Sequence, residues 1–126
     1  MKKTVLMYNF ASDKLAAARF ALKPLGCSVR GVSVKEQKAP VGALAGAAGY
    51  TSQKSKTPPE SFSDGFIVIC GFSGKGLDVV IAALASCGIK RDTLKAVMTD
   101  TNAAWSGAQL YKEVSREHKF FSEMGQ

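Results

Sequence analysis

Thr4-Val5-Leu6-Met7-Tyr8-Asn9-Phe10 is apolar on both faces: Leu6, Tyr8 and Phe10 alternate with Val5 and Met7. A strand showing water neither face belongs in the middle of a sheet that is covered on both sides. Phe66-Ile67-Val68-Ile69-Cys70 reads the same way and is even more apolar. Two central strands therefore anchor one sheet. The rest of the chain can be read outward from them.

After the first strand, Ser12 is placed to cap a helix, with Asp13 favourable in its first turn. Leu15, Ala18, Leu22 and Leu25 form the inward stripe, and Gly26 closes the helix just after Pro24. Residues 28–35 alternate as an edge strand would, around Val29, Val32 and Val34. Residues 39–49 (APVGALAGAAG) hold at most a short helix, with Pro40 in its first turn and glycines weakening it by about 1 kcal/mol each. Residues 51–64 are polar, contain Pro58-Pro59 and read as a mobile loop. Leu77 to Cys87 is a helix with Leu77, Val80, Ile81 and Leu84 inward and Gly88 as its stop. Residues 93–99 form a fourth strand. Thr101 or Asn102 then caps a last helix to about Glu123, with Leu110, Tyr111, Val114 and Phe121 as its stripe.

The order β-α-β-(α)-β-α-β-α defines a single α/β domain over residues 1–126 with a four-stranded sheet. Two architectures fit. A doubly wound parallel sheet puts strands one and three in the middle and helices on both faces. A ferredoxin-like α+β sandwich also centres those strands, in an antiparallel sheet with one open face. The two apolar faces of the first strand favour the parallel sheet.

The totals exclude several classes. At 126 residues, 46% apolar and 21% charged, the composition is that of an ordinary globular domain with a real core. No apolar run approaches the roughly 20 residues of a membrane helix. The apolar part of the amino-terminal segment is too short for a secretory signal, and Asp13 and Lys14 interrupt it. Cys27, Cys70 and Cys87 are an odd number without a CxxC pair, as expected of buried free thiols in a reducing compartment, so the expected location is cytoplasmic. The net charge of +7 is spread along the chain, which leaves nucleic acid a weaker partner than its size suggests.

The chemistry-bearing residues gather at strand ends. In a parallel sheet, ligands bind beyond the carboxyl ends of the strands. Those ends carry Asn9, Ser12, Ser73, Thr99, Asp100, Thr101 and Asn102, with Trp105 just beyond. The expected ligand-binding set is Asn9, Ser73, Thr99, Asp100, Asn102 and Trp105. Each polar member is also an ordinary helix-start or turn residue, so only their convergence makes a site, and that convergence depends on the parallel arrangement. Gly71-Phe72-Ser73-Gly74-Lys75-Gly76 lacks the spacing of a Walker phosphate loop. His118 is the only histidine, and without ligand partners at metal spacing no metal site is expected. Lys112, Arg116 and Lys119 form a basic line on the last helix, with Arg19 and Lys23 a smaller pair on the first. Such faces are more often solvated than phosphate-binding.

Val5-Leu6-Met7-Tyr8-Asn9-Phe10, Cys70-Gly71-Phe72, Lys95-Ala96-Val97-Met98-Thr99-Asp100-Thr101-Asn102 with Trp105, Leu110-Tyr111-Lys112-Glu113 and Glu117-His118 resemble a family of small bacterial proteins known only as a domain of unknown function. Asp100 departs from the pattern, which has a proline there. The resemblance implies a small cytoplasmic bacterial α/β protein, and no activity, cofactor or substrate comes with it.

Three functions are compatible with these residues. The first is a binding or regulatory domain for a polar or anionic ligand, or for a protein partner, at the strand-end crevice. The second is an enzyme using Asp100 as its acid-base group. The third is a nucleic-acid-associated protein using the basic helix faces. The flat alanine-glycine segment 39–49 adds the expectation of a homodimer. No cofactor is specified.

Overall fold

The computed structural model describes residues 3–33, 36–37, 39–46, 62, 64–72, 74–89, 93–99 and 101–124, with side chains as far as residue 116. The strands are β1 (Thr4–Tyr8), β2 (Ser28–Val32), β3 (Phe66–Cys70) and β4 (Leu94–Val97). The helices are α1 (Ser12–Leu22), α2 (Val41–Leu44), α3 (Gly74–Ser86) and α4 (Gly107–Met124), with 3₁₀ turns at Lys23–Leu25 and Asn102–Ala104. The strand order is β2-β1-β3-β4. The central strands are those the sequence marked, every residue of both is buried, and β2 is an edge. Among the described residues, no helix is long and apolar enough to cross a membrane.

The sheet is mixed, which corrects the parallel arrangement. β1 runs parallel to β2, and β3 parallel to β4, but β1 and β3 are antiparallel, with Thr4 opposite Cys70 and Tyr8 opposite Phe66. It is not ferredoxin-like either, because two of its three strand pairings are parallel, where that fold is antiparallel throughout. The connection between β2 and β3 supplies the reason. A parallel β3 requires a crossover running back the length of the sheet, normally a helix within a dozen or more residues. Here the described helix is the four-residue α2. β2 ends at Val32 beside Tyr8, and β3 begins at Phe66 beside the same Tyr8, so the chain re-enters the sheet at the end where it left.

The first strand and the helix of the two βαβ halves correspond residue by residue, with numbers differing by 62, while Ser28 of β2 answers to Leu94 of β4 at a shift of 66. Asn9 (φ 65) matches Gly71 (φ 84), and Gly26 (φ 68) matches Gly88 (φ 92), so left-handed residues end the strand and the helix in both halves. Phe10 matches Phe72 and Leu15 matches Leu77, all packed against one core cluster. The buried Ala18, Leu22 and Cys27 match the buried Val80, Leu84 and Ile89. Leu6 corresponds to Val68 and is also its pairing partner, so a pseudo-two-fold axis passes between them.

This symmetry puts α1 and α3 side by side on one face, over Val5, Met7, Ile67 and Ile69. The other face, with Leu6, Tyr8, Phe66 and Val68, is covered by α2, Phe62 and α4 through Ala108 and Leu110. The segment 39–49 does not form a self-association surface over its described part. Val41, Gly42, Leu44 and Ala45 are buried. The Val41 N–H donates to the Trp105 carbonyl at 2.8 Å, and Pro40 bridges to Ser106. Two capping expectations are also corrected. Ala11, not Ser12, occupies the N-cap of α1 and makes no side-chain cap, while α4 is capped by Ser106, whose Oγ accepts the Gln109 N–H at 3.1 Å. Residues 51–61 and 63 of the polar stretch lie outside the described residues. Phe62 and Asp64 are placed, the former buried and the latter exposed.

Candidate binding groove

The antiparallel centre divides the expected crevice. β1 and β3 end at opposite edges of the sheet, so Asn9 cannot join residues following β3 and β4. Asn9 instead anchors the chain before β3. Its Nδ2 donates to the Phe62 carbonyl at 2.9 Å and the Asp64 carbonyl at 3.0 Å, and its Oδ1 accepts from Gln37 Nε2 at 3.1 Å. Gln37, 1% exposed, also donates to the Phe62 carbonyl and accepts the Phe62 N–H. The clamped Phe62 ring stacks on Tyr111 at 4.2 Å between centroids, and the Tyr111 hydroxyl donates to Asp64 Oδ2. Neither Gln37 nor this aromatic lock was marked by the sequence, where Gln37 is one polar residue in a polar stretch.

Thr99, Asn102 and Trp105 do come together. β4 is the last strand of the sheet, and the Met98 N–H donates to the Ile69 carbonyl at 2.9 Å. Backbone groups alternate along a strand, so those of Val97 and Thr99 face away from β3. The Asn102 carboxamide meets them: Oδ1 accepts the Thr99 N–H at 2.7 Å, and Nδ2 donates to the Val97 carbonyl at 3.1 Å. Asn102 thereby bonds the outer edge of β4 much as a neighbouring backbone would, and it ends that edge. In return the Asn102 N–H donates to Thr99 Oγ1 at 3.1 Å, so the Thr99 proton is the one its hydroxyl can offer a ligand.

Between β4, this turn and α4 lies a groove of about 330 Å³. Its apolar lining is Ala96, Val97, Leu110 and Val114, with Trp105 at the turn. Thr99, Thr101 and Asn102 supply polar groups at one end, and Lys95 and Glu113 add one charge of each sign. Trp105 is half-buried and also packs against the core, so it both holds α4 to the sheet and lines the groove. The sequence reading missed Leu110, Val114 and Glu113. The first two stand on the apolar stripe of α4, and nothing in that spacing says the stripe overhangs the sheet.

Ser73 and Asp100 lie outside the described residues, although both chain neighbours of Asp100 line the groove. The side chains of His118, Lys119 and Phe121 are likewise outside them. Lys112 and Arg116 are exposed on α4, Arg116 standing 3.9 Å from Glu113, while Arg19 is exposed on α1 and Lys23 in the 3₁₀ turn that follows it. Among the described residues, no group of three or more histidine, cysteine, aspartate or glutamate residues could hold a metal ion.

Tyr8, Cys27, Glu36, Cys70 and Tyr111, none of which lines the groove, have displaced pKa values. Burial pushes the Cys27 thiol up to about 11, against the opposing charge of Lys3, and the Cys70 thiol up to about 12, with Cys27 adding to it. Burial also raises the Tyr8 phenol strongly, and the hydrogen bond to Asp64 raises that of Tyr111. The hydrogen bond from Arg30 holds the Glu36 carboxyl below its usual range. The thiols and phenols are thus kept neutral in the fold, whereas unfolded thiols ionise from about pH 9. Folding stability is therefore full below pH 9 and is lost as the pH rises from 9 towards 12. Each thiol contributes a slope approaching about 1.4 kcal/mol per pH unit. Urea denaturation at pH 8, 9.5 and 10.5 checks this: the wild type declines, and Cys27→Ala/Cys70→Ala declines less steeply. A wild-type curve flat to pH 11 contradicts it.

Fold and groove together define a small α/β protein with a mixed four-stranded sheet and an open groove at one edge. Residues 65–121 match the model of a family described as a domain of unknown function (DUF3783), a segment that takes in β3, α3, β4 and the described length of the groove. No curated protein and no solved structure matches the chain.

Proposed function

We propose that this protein is a binding domain whose ligand occupies the groove between β4 and α4. The observation that carries the reading is the mixed lining. Trp105, Leu110 and Val114 offer an apolar wall, and the Thr99 and Thr101 hydroxyls stand at one end of it. Concave sites of this size that pair an apolar wall with a few convergent polar groups are the usual form of small-molecule sites. The ligand that fits is a small polar molecule with one flat or apolar face. Its apolar face lies against the indole, and its polar groups meet the two threonines. Strand addition by a peptide is disfavoured, because the Asn102 carboxamide already occupies the Val97 carbonyl and the Thr99 N–H.

Trp105 is the only tryptophan, so its fluorescence reports the groove directly. Titration with free amino acids and nucleosides is expected to give a saturable change for at least one class. Thr101→Val is expected to weaken that response about tenfold, equivalent to one hydrogen bond of roughly 1.4 kcal/mol, without changing the melting temperature. Glu113→Phe, which narrows the groove from its α4 side, is expected to abolish the response to the same compound. A response unaffected by both variants places the ligand elsewhere.

A further inference from the structure

Phe20 is 84% exposed, the most exposed large apolar side chain among the described residues. It stands on the outer face of α1, two residues from each of the buried Ala18 and Leu22 and so on the opposite side of the helix, with Lys23 three residues on. Burying such a ring removes a large apolar surface from water, so a ring held this far out is a docking element. The neighbouring helix α3 is apolar on its outer side too. Val79 is 49% and Ile81 39% exposed, and Ala82 and Ala85 are exposed beside them. Along the flank of α3 lies a second cavity of about 350 Å³, lined by Asp78, Ile81, Ala82, Ala85, Ile89 and Lys95. A phenyl ring fits within that volume.

We infer that this chain forms a homodimer through its α1–α3 layer, the Phe20 ring of each copy seated in the Ile81–Ala82–Ala85 cavity of the other. Three observations favour a second copy as occupant. The protruding ring and the cavity belong to the same helical layer, since α1 and α3 pack side by side on one face of the sheet. For a knob and a hole on one face, the two-fold axis that bisects them seats both contacts at once, which closes the assembly as a dimer. Lys23 flanks the knob, and the wall of the hole offers it Asp78 as an ion-pair partner, with Lys95 on the β4 side of the same cavity. The cavity shares Lys95 with the β4–α4 groove, but the inference does not depend on the reading of that groove.

Sedimentation equilibrium of the full chain at 5–200 µM tests this. The wild type is expected to be dimeric with a dissociation constant in the micromolar range. Phe20→Ala removes the knob and Ala85→Trp fills the hole, and each is expected to weaken the dimer at least thirtyfold while keeping the wild-type circular dichroism spectrum. Both residues are exposed, so neither substitution touches the core. Mixing the two variants is the decisive arm. The heterodimer retains one intact contact, with Phe20 of the Ala85→Trp chain entering the unfilled hole of the Phe20→Ala chain. The mixture is therefore expected to associate more tightly than either variant alone. A wild type monomeric at 200 µM overturns the inference. So does a dimer that survives both substitutions, or a mixture no tighter than its components.

Discussion

Asn9→Ala is expected to lower folding stability by about 3–4 kcal/mol, a large share of the 5–15 kcal/mol typical of a domain. The carboxamide makes three hydrogen bonds that hold the Phe62–Asp64 chain and the buried Gln37, each worth roughly 1 kcal/mol. Alanine must also hold φ 65, a left-handed conformation that costs a side chain about 1 kcal/mol more than it costs asparagine or glycine. The two contributions separate experimentally. Asn9→Gly loses the same bonds but keeps the backbone at ease, as Gly71 does at the matching position of the second half. It should therefore be about 1 kcal/mol more stable than Asn9→Ala in urea denaturation. Alanine and glycine variants of equal stability would contradict the backbone part. A loss below 1 kcal/mol for both would contradict the clamp.

Gly107→Ala is the second large effect. A Cβ there falls on the Tyr8 ring, 2.5 Å from its hydroxyl oxygen and 2.6 Å from Cζ, and Tyr8 has no exposed surface into which to swing. Overpacking of this kind costs about 3 kcal/mol, roughly 10 °C in melting temperature for a domain of this size. The Tyr8 hydroxyl has no hydrogen-bond partner among the described residues. Tyr8→Phe alone is therefore expected to raise stability by about 1 kcal/mol. In the Tyr8→Phe background, Gly107→Ala should cost at least 1 kcal/mol less, because one of the three clashing atoms is gone. Additive effects would mean that α4 starts farther from β1 than the structure places it.

These residues also show where the sequence was legible. The central positions of β1 and β3 follow from their two apolar faces, and Gly26 and Gly88 end their helices as glycines at such positions do. Strand direction was not legible from those faces, because a strand buried on both sides looks the same in either direction. The connection 33–65 decides it, and its alanine-glycine stretch was too weak a helix for a crossover. A second signal lay in the sequence unread: Asn9-Phe10 against Gly71-Phe72, Leu15 against Leu77, and Gly26-Cys27 against Gly88-Ile89, all at one constant shift. Most of the other matches exchange one apolar residue for another, so the repeat stands out only once both halves are seen in the sheet.

The site divides along the same line. Thr99, Asn102 and Trp105 are close in sequence, and local hydrogen bonds assemble them whatever the sheet direction. Asn9 could join them only across the sheet, and the antiparallel pairing of β1 with β3 takes it to the far edge. Leu110, Glu113 and Val114 reach the groove because α4 overhangs the edge strand, a feature of packing that helical spacing does not encode.

The groove is tested most directly by mapping fragment-induced amide shifts in a nitrogen-15 spectrum of the full chain. Polar aromatic fragments at millimolar concentration are expected to shift Lys95, Val97, Thr99, Thr101, Asn102, Trp105, Glu113 and Val114 together, leaving Asn9 and Gln37 in place. Shifts gathered around Asn9, or across the outer faces of α1 and α3 alone, would contradict the assignment of the binding site to the edge of β4.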